Sequence, residues 1–330
     1  MKRNSFKFKN NLPFKPMSKL SNQRLVIPLY HSLQDEKSLD FISPLYQLRS
    51  IETFEKDLEY FLKHFQPISL QDLIQLNKNK QKPKAPSFHI TFDDGLSSFY
   101  EMAAPILEKK GIPATCFLNN EFIDNAELFY RYKVALLCQA CSEKRKRANL
   151  ETHIGRAGKD VLIKTFKSWT YADSDKIDES LLIAEIDVNE FLRKQKPYMT
   201  TEEIHSLIKK GFTFGAHSRK HIHYKHLSVD EQVEETSEST KGIKEKFNLD
   251  YAAFAFPFTD HGVEAQFFDR LKNKLDISFG TAGLKKKEYG FHHHRIIMED
   301  NVLTAEQILK AEYLYYLLKA PFGKNSIKRT

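Results

Sequence analysis

The feature that most constrains the fold of this 330-residue chain is a short apolar run, residues 88–92, that ends in Asp93, Asp94 and Gly95. Such a run, bounded by turn residues, is typical of a buried strand, and α/β folds place their chemistry at the carboxyl ends of strands. Two adjacent carboxylates at the edge of a core need a cation or a shared proton. A metal ion is the simplest solution, although Asp and Gly also form ordinary surface turns.

A pair of histidines far along the chain supports the metal interpretation. His217 and His221 are four residues apart and follow a second apolar run, residues 212–214. Histidines at this spacing lie on one face of a helical turn and can bind one ion. An acid from another strand would complete a site with two histidines, one aspartate and open positions for water. The two features together therefore indicate a divalent metal site.

Both motifs resemble those of the polysaccharide deacetylases of the NodB-homology type, carbohydrate esterase family four. The Thr-Phe-Asp-Asp-Gly motif of that family occurs unaltered at residues 91–95, and its His-Ser/Thr-x-x-His motif occurs at residues 217–221. The resemblance covers about residues 24–300. It implies that Asp93 is the catalytic base. It also implies a divalent metal, most often Zn²⁺ in this family, with three ligands: Asp94, His217 and His221.

The third family motif, Arg-x-Pro-aromatic, is altered in this chain. The matching stretch at residues 255–258 reads Ala-Phe-Pro-Phe and lacks the arginine that supports the catalytic aspartate in the family. Arg295, at the start of a late strand, is the candidate replacement. The alternative is that Arg295 forms a surface ion pair with Glu299 or Asp300.

The general acid and the acetyl pocket are implied by the resemblance as well. The family's late Leu-x-x-His motif is absent after residue 279. The sequence also resembles the poly-N-acetylglucosamine deacetylase branch, in which a histidine at the end of the first strand is a candidate acid, and His31 matches it. The fallback is the cluster His292–His294, although a triple histidine on a loop is usually solvated. Pro257 and Phe258 are expected to shape the acetyl pocket, with the Phe258 N–H facing the oxyanion.

Strand-like and helix-like segments alternate along most of the chain, which predicts an α/β fold with a parallel, barrel-like sheet. The resemblance implies a distorted, incomplete (β/α) barrel of about seven strands. We expect a basic tail at residues 1–23 and one deacetylase domain at residues 24–330. Within it, residues 121–196 are expected to form a charged helical insertion, longer than is usual in the family, that lies as a cap over or beside the mouth. Its basic run at residues 144–147 is more typical of a solvated helix face than of a phosphate site.

Composition limits the partners only weakly. With 51 Lys and Arg against 43 Asp and Glu, the +8 charge suits anionic glycans, membrane surfaces or nucleic acid and selects none of them. No nucleic-acid partner and no obligate protein partner is inferred. Residues 1–23 lack the apolar segment of a signal peptide, so we expect a cytoplasmic protein. The tail is either disordered or makes a weak peripheral contact with anionic lipid at the inner membrane face.

The sequence therefore predicts a metal-dependent hydrolase that removes N-acetyl groups from the amino sugars of a glycan or lipid-linked glycan. An amide carbonyl is a poor electrophile, so a metal must polarise it while a carboxylate accepts the proton. The alternatives are an O-acetyl esterase or another amide hydrolase on the same fold, and a catalytically silent glycan-binding module. The presence of Asp93 in addition to Asp94 argues against the silent module, because a metal site alone needs no second carboxylate.

Overall fold

A computed structural model describes residues 21–34, 40–42, 44–45, 47–300 and 302–329. Most of the basic tail at residues 1–23 lies outside these ranges, so its contact with lipid stays a prediction. No helix within the described ranges has both the length and the apolar content that a membrane crossing requires.

The centre of the fold is an eight-stranded parallel sheet in the order β12-β11-β10-β9-β8-β7-β2-β13. Smaller parallel sheets, β1-β6-β5 and β3-β4, flank it. The strands are β1 Leu25–Val26, β2 Pro28–Tyr30, β3 Leu33–Gln34, β4 Arg49–Ser50, β5 Gln66–Pro67, β6 Ser87–Phe88, β7 Ile90–Phe92, β8 Ala114–Leu118, β9 Thr213–Ala216, β10 Ala253–Ala255, β11 Ile277–Gly280, β12 His292–His294 and β13 Ile296–Ile297.

The two edges of the main sheet belong to one stretch of chain. Strands β12 and β13 are separated by a single residue, Arg295. β12 pairs with β11, and β13 pairs with β2, so the broken strand joins both edges. If β12 and β13 are counted as one strand, the barrel has seven strands. The prediction of a distorted (β/α) barrel is therefore confirmed, and the distortion lies at the break.

Helices alternate with the strands, as the sequence predicted. They are α1 Ile51–His64, α2 Leu70–Lys78, α3 Ala104–Lys109, α4 Tyr130–Ala140, α5 Lys144–Ile154, α6 Lys159–Ser168, α7 Ser174–Ile183, α8 Val188–Gln195, α9 Thr201–Lys209, α10 Val229–Lys246, α11 Ala265–Leu271 and α12 Ala305–Lys319. Helices α9 and α10 begin with capping boxes at Thr200 and Ser228, in which each side chain accepts a backbone N–H of the first turn.

Aromatic and aliphatic side chains fill the barrel interior. Phe117 of β8 packs against Phe279 of β11 with 5.3 Å between ring centroids. Gly215 of β9 makes room for this packing, because a Cβ there would lie 2.7 Å from the Phe117 ring. The interior is thus filled at mid-height, and polar chemistry is left to the carboxyl ends of the strands.

The insertion between β8 and β9 has a hydrophobic core of its own. Helices α4 to α8 lie within it, and their buried side chains pack around Tyr132, Leu137 and Phe166. Three cations of the basic run pair with glutamates: Arg145 with Glu185 at 2.6 Å, Lys146 with Glu143 at 3.0 Å and Arg147 with Glu151 at 3.8 Å. These pairs agree with a solvated helix face.

Candidate active site

The acid pair lies directly after β7, and the backbone turns sharply there. Asp94 and Gly95 both adopt left-handed conformations, with φ of 70° and 67°. Asp93 and Asp94 are each only 2% exposed. The two carboxylates differ in their main partners: Asp93 pairs with Arg295 and Asp94 with His221. His217 Nε2 lies 3.6 Å from both Asp93 Oδ2 and Asp94 Oδ1.

Asp94, His217 and His221 form a compact cluster whose ligand atoms lie within 4.8 Å of one another. Asp94 Oδ1 is 3.1 Å from His221 Nε2 and 3.6 Å from His217 Nε2. The Nδ1–H of His217 donates to the Ala255 carbonyl at 2.9 Å, which leaves the lone pair on Nε2. Among the described residues, neither Asp94 Oδ1 nor His217 Nε2 has a hydrogen-bond partner. Buried atoms of this kind fit the ligands of a divalent ion.

The histidine loop differs from the helical turn that the sequence predicted, and that prediction is wrong. Ser218 and His221 have positive φ values of 66° and 57°, so residues 217–221 form a tight loop after β9. The backbone N–H of His221 donates to Ser218 Oγ at 2.9 Å, and the Asn119 amide donates to the His217 carbonyl at 2.5 Å. The loop places the two imidazole centroids 4.8 Å apart. The hydrogen bonds of Ser218 and Asn119, not helical periodicity, bring the histidines together.

Arg295 is buried and pairs with Asp93 through two hydrogen bonds, Nη1 to Oδ1 at 2.5 Å and Nη2 to Oδ2 at 2.8 Å. It is not a surface partner of Glu299 or Asp300, because its side chain is fully buried and its guanidinium lies 5.5 Å over the Phe117 ring. Burial, the largest single effect, would raise the pKa of Asp93, but the charges of Arg295, His217 and His31 together with the Arg295 hydrogen bonds outweigh it and lower that pKa. Asp93 therefore stays ionised at neutral pH.

His31 follows β2 and contacts a residue that the sequence assigned differently. Its Nδ1 lies 2.7 Å from Glu299 Oε2, and its backbone N–H donates to Glu299 Oε1 at 2.6 Å. Burial opposes the charged imidazolium, but Glu299, Asp94 and Asp93 outweigh it and raise the pKa of His31 to about 9. His31 is therefore protonated at neutral pH and close enough to the acid pair to interact with it electrostatically.

Pro257 and Phe258 follow β10, at the same edge of the sheet. Phe258 has a φ of 57°, and its ring lies 4.6 Å from His221 and 5.1 Å from His223 between centroids. Phe258 is 36% exposed, so it forms part of the open rim of the site. His223 stacks on it, and burial lowers the pKa of His223 to about 4. The oxyanion role of the Phe258 N–H stays a prediction.

The insertion contributes residues that the sequence analysis missed. The Tyr132 hydroxyl of α4 donates to Asp94 Oδ2 at 2.7 Å, and the Phe129 ring lies 4.3 Å from that of His221. The Phe129 N–H in turn donates to the hydroxyl of Tyr198 at 3.1 Å. The insertion is thus attached to the cluster itself. The only sequence signal was the aromatic density of residues 129–132, which does not name a partner.

The triple histidine corrects another expectation. His292–His294 form strand β12 and are at most 9% exposed, so they are not a solvated loop. His292 Nε2 lies 3.3 Å from Asp260 Oδ2, and His294 Nδ1 lies 3.8 Å from the same oxygen. Arg329 also pairs with that carboxylate and stacks 4.3 Å over the Phe268 ring. Two of the three histidines thus contact Asp260 instead of the acid pair.

Comparison with known proteins agrees with this geometry. The polysaccharide deacetylase family model matches residues 80–269, more than half of the chain. No curated protein sequence matches this chain. Strands at residues 90–92, 213–216 and 253–255, which carry the two motifs and the altered third one, all lie inside the matched range, whereas His31, Arg295 and Glu299 lie outside it.

Three solved structures share the fold at low sequence identity. The Streptococcus pyogenes deacetylase PplD, solved with acetate, has a TM-score of 0.56 at 16% identity over 87% of this chain and 97% of its own. IcaB from Ammonifex degensii has a TM-score of 0.54 at 17% identity, and the match covers 88% of this chain and 97% of IcaB. The de-N-acetylase from Aggregatibacter actinomycetemcomitans has a TM-score of 0.56 at 13% identity, and the match covers 87% of this chain and 99% of that protein. The chain belongs to the polysaccharide deacetylase family, of the NodB-homology type known as carbohydrate esterase family four.

Proposed function

We propose that this protein is a metal-dependent hydrolase that removes N-acetyl groups from the amino sugars of a glycan or lipid-linked glycan. The observation that carries the proposal is the pairing of Asp93 with Arg295 beside the Asp94–His217–His221 cluster. A site that only held an ion or a sugar would not need an ionised carboxylate that is outside the ligand set and held by a buried arginine.

Asp94, His217 and His221 would hold the divalent ion, and Zn²⁺ suits one carboxylate and two imidazoles. A bound Zn²⁺ supplies Lewis-acid polarisation of the acetyl carbonyl and lowers the pKa of water. The ring of His217 is fixed by its hydrogen bond to Ala255, and Asp94 is fixed by Tyr132. These hydrogen bonds orient two of the three proposed ligands.

Asp93 is the proposed general base. The bidentate contact with Arg295 fixes the carboxylate plane and keeps it ionised, so it accepts a proton from the attacking water without a preceding rearrangement. The arginine reaches Asp93 from the break between β12 and β13, not from residues 255–258, where the family motif carries it. We propose that this is the same support supplied from a different strand.

His31 is the proposed general acid. Expulsion of an amine requires a proton on the nitrogen, and Glu299 keeps His31 protonated up to about pH 9. This favours an amide substrate over an O-acetyl ester, because an ester leaves as an alcohol with less need for a strong proton donor. Pro257 and Phe258 form the rim against which the acetyl methyl group would pack.

Acetate release from a matched panel tests the proposal. We expect N-acetylglucosamine oligomers to release acetate in a metal-dependent manner, with loss after chelation and recovery when Zn²⁺ is restored. O-acetylated glycans of similar length should react much more slowly. If the O-acetylated members reacted fastest, the esterase alternative would replace this proposal. Metal and glycan binding with no acetate from any member would support the silent binding module.

A further inference from the structure

The break between β12 and β13 leaves a cavity at the side of the barrel. Strand β13 pairs with β2, but β1 pairs with β6, so among the described strands β12 has no partner on that side. A cavity of about 570 Å³ occupies the gap, with Leu25 and Ile27 on one side and His293 and His294 on the other. We call it the seam cavity. None of its described lining residues belongs to the acid pair or to the histidine loop.

The seam cavity carries positive charge without compensation. Five cations line it and no described acidic residue does; the cations are Arg24, Lys82, Lys285, Lys286 and Lys287. Among the described residues, none of the five has a carboxylate within 4.0 Å. The basic run of the insertion is different, because Arg145, Lys146 and Arg147 all pair with glutamates. Crowded cations without counter-charges favour an anion.

Two lining side chains indicate where polar ligand atoms would bind. His294 Nε2 is buried and lacks a hydrogen-bond partner among the described residues, whereas its Nδ1 lies 3.8 Å from Asp260 Oδ2; the residue is 8% exposed. Lys287 donates to Asn77 Oδ1 at 3.0 Å and to the Gly290 carbonyl at 2.7 Å. Lys287 and Lys82 are both solvent-exposed, and the charge of Lys82 disfavours the protonated form of Lys287. An anion in the cavity would relieve that repulsion and accept hydrogen bonds.

The remaining lining narrows the chemical class of the ligand. Leu25, Ile27, Leu73 and Leu317 also line the cavity, so an apolar group fits beside the charged one. Helix α12 and the turn after it expose Leu318 at 52% and Phe322 at 74% beside the lining residues Leu317 and Ala320. Residues 1–20, which contain no acidic residue, precede the lining residue Ser21 in the sequence. Cations beside exposed apolar side chains are typical of a membrane-contact surface.

We propose that the seam cavity binds the phosphate group of an anionic phospholipid at a membrane surface. The lysines act as point charges on the phosphate oxygens, and the aliphatic lining receives the first part of the lipid's apolar chain. This site is independent of the deacetylase proposal, because it shares no residue with the catalytic cluster. It would hold the barrel against the bilayer.

The test compares two charge-reversal variants of equal net charge. Lys286→Glu/Lys287→Glu changes the cavity, whereas Lys144→Glu/Lys164→Glu changes the insertion and serves as the control. Co-sedimentation with equimolar phosphatidylcholine and phosphatidylglycerol vesicles measures binding. We expect the cavity variant to bind at least about 10-fold more weakly than wild type, and the control to change by less than about twofold. Both variants retain the tail, which therefore contributes equally.

Further measurements separate the possible outcomes. Equal weakening of both variants would show a net-charge effect and overturn the proposal, as would unchanged binding of the cavity variant. If the cavity variant lost affinity for glycerol 3-phosphate but kept its vesicle binding, the cavity would take a soluble phosphate ester instead of a lipid. If circular dichroism shows that the Lys286→Glu/Lys287→Glu variant does not fold, the neutral variant Lys286→Gln/Lys287→Gln takes its place in the comparison.

Discussion

The barrel wall carries two buried groups of one aspartate and two histidines, and they differ in how their charge is balanced. One lies at the mouth and the other beside β10, β11 and β12; they are Asp94, His217 and His221, and Asp260, His292 and His294. In the second, Arg329 of the same chain pairs with Asp260 and also donates to its carbonyl at 2.9 Å. In the group at the mouth, the nearby Arg295 pairs with Asp93, and Asp94 Oδ1 has no hydrogen-bond partner among the described residues.

We infer from this comparison that a set of suitable ligands is not sufficient to make a metal site. A buried carboxylate needs a compensating charge, and an arginine supplies it as well as an ion does. Where the chain already provides the cation, the imidazoles remain neutral polar groups of the core; burial lowers the pKa of His294 to about 3. Of the two groups, the cluster at the mouth would then be the one left for an external cation.

The largest expected effect distinguishes the two groups directly. His217→Ala removes a proposed ligand and should abolish both metal binding and acetate release, whereas His294→Ala should retain both. Elemental analysis of the purified proteins after identical metal loading measures the first quantity. Full metal occupancy in His217→Ala would refute the ligand assignment. Loss of one equivalent of metal in His294→Ala would instead make the second group a metal site.

Asp93→Asn tests whether the non-ligating carboxylate is the base. We expect turnover to fall by about 10² to 10⁴ because the amide cannot accept the proton, while metal content stays at the wild-type level. Acetate release and elemental analysis on the same preparation measure both. Near-normal turnover would exclude Asp93 as the base and would leave the two arginine-paired carboxylates functionally alike.

Arg329→Met tests the balance at the second group. Removing one partner of a buried ion pair leaves Asp260 uncompensated, so the free energy of unfolding should fall by about 3–5 kcal/mol. Urea denaturation measures this change. The double variant Arg329→Met/Asp260→Asn should regain part of the loss, because it no longer buries a charge. If the single variant were as stable as wild type, Arg329 would not be the balancing charge.

Glu299→Gln tests the protonation of His31. The raised pKa of His31, about 9, means that the acid is protonated below that pH and is lost as the pH rises through it. Without the Glu299 carboxylate the pKa should fall, and the basic limb of the pH–rate profile should move to lower pH. His31→Ala should remove that limb without loss of metal. An unchanged profile in both variants would exclude His31 as the acid.

Tyr132→Phe is expected to have the smallest effect. It removes the hydrogen bond to Asp94 Oδ2 while preserving the ring, so metal affinity should fall about 10-fold. This is the low end of the loss that is typical when a residue hydrogen-bonded to a metal ligand is replaced. Competition with a chromophoric chelator measures the affinity, and Tyr130→Phe, on the same helix, is the matched control. Equal affinity in both variants would show that the insertion covers the cluster without tuning it.

Sequence reasoning placed the acid pair and the histidine loop at the same sheet edge because each motif is local and lies at a strand end. Arg295 could also be proposed, since the altered third motif left a defined need for a cation. Glu299 was assigned only as a possible surface partner of Arg295, and the structure places it on His31. A contact between residues so far apart in sequence has no local signature.

Two errors have a common physical origin. Residues 217–221 were expected to form a helical turn, but positive φ at Ser218 and His221 produces a loop with the same ring proximity. His292–His294 were expected on a solvated loop because histidine is polar, yet Ser278 and Asp260 supply partners within the wall, at 2.9 Å and 3.3 Å from His292. In both cases tertiary hydrogen bonds, which the sequence does not display, outweighed local preference.

The single residue between β12 and β13 gives the chain an order of assembly. The proposed metal ligands Asp94, His217 and His221 are all synthesised before Arg295, so they would be present on the nascent chain while Asp93, the proposed base, still lacks its buried partner. Only when the last strand inserts between β11 and β2 does the guanidinium reach Asp93. Under the proposed function, closure of the barrel would therefore also complete the catalytic site, because a chain without β12 and β13 lacks the buried partner of Asp93.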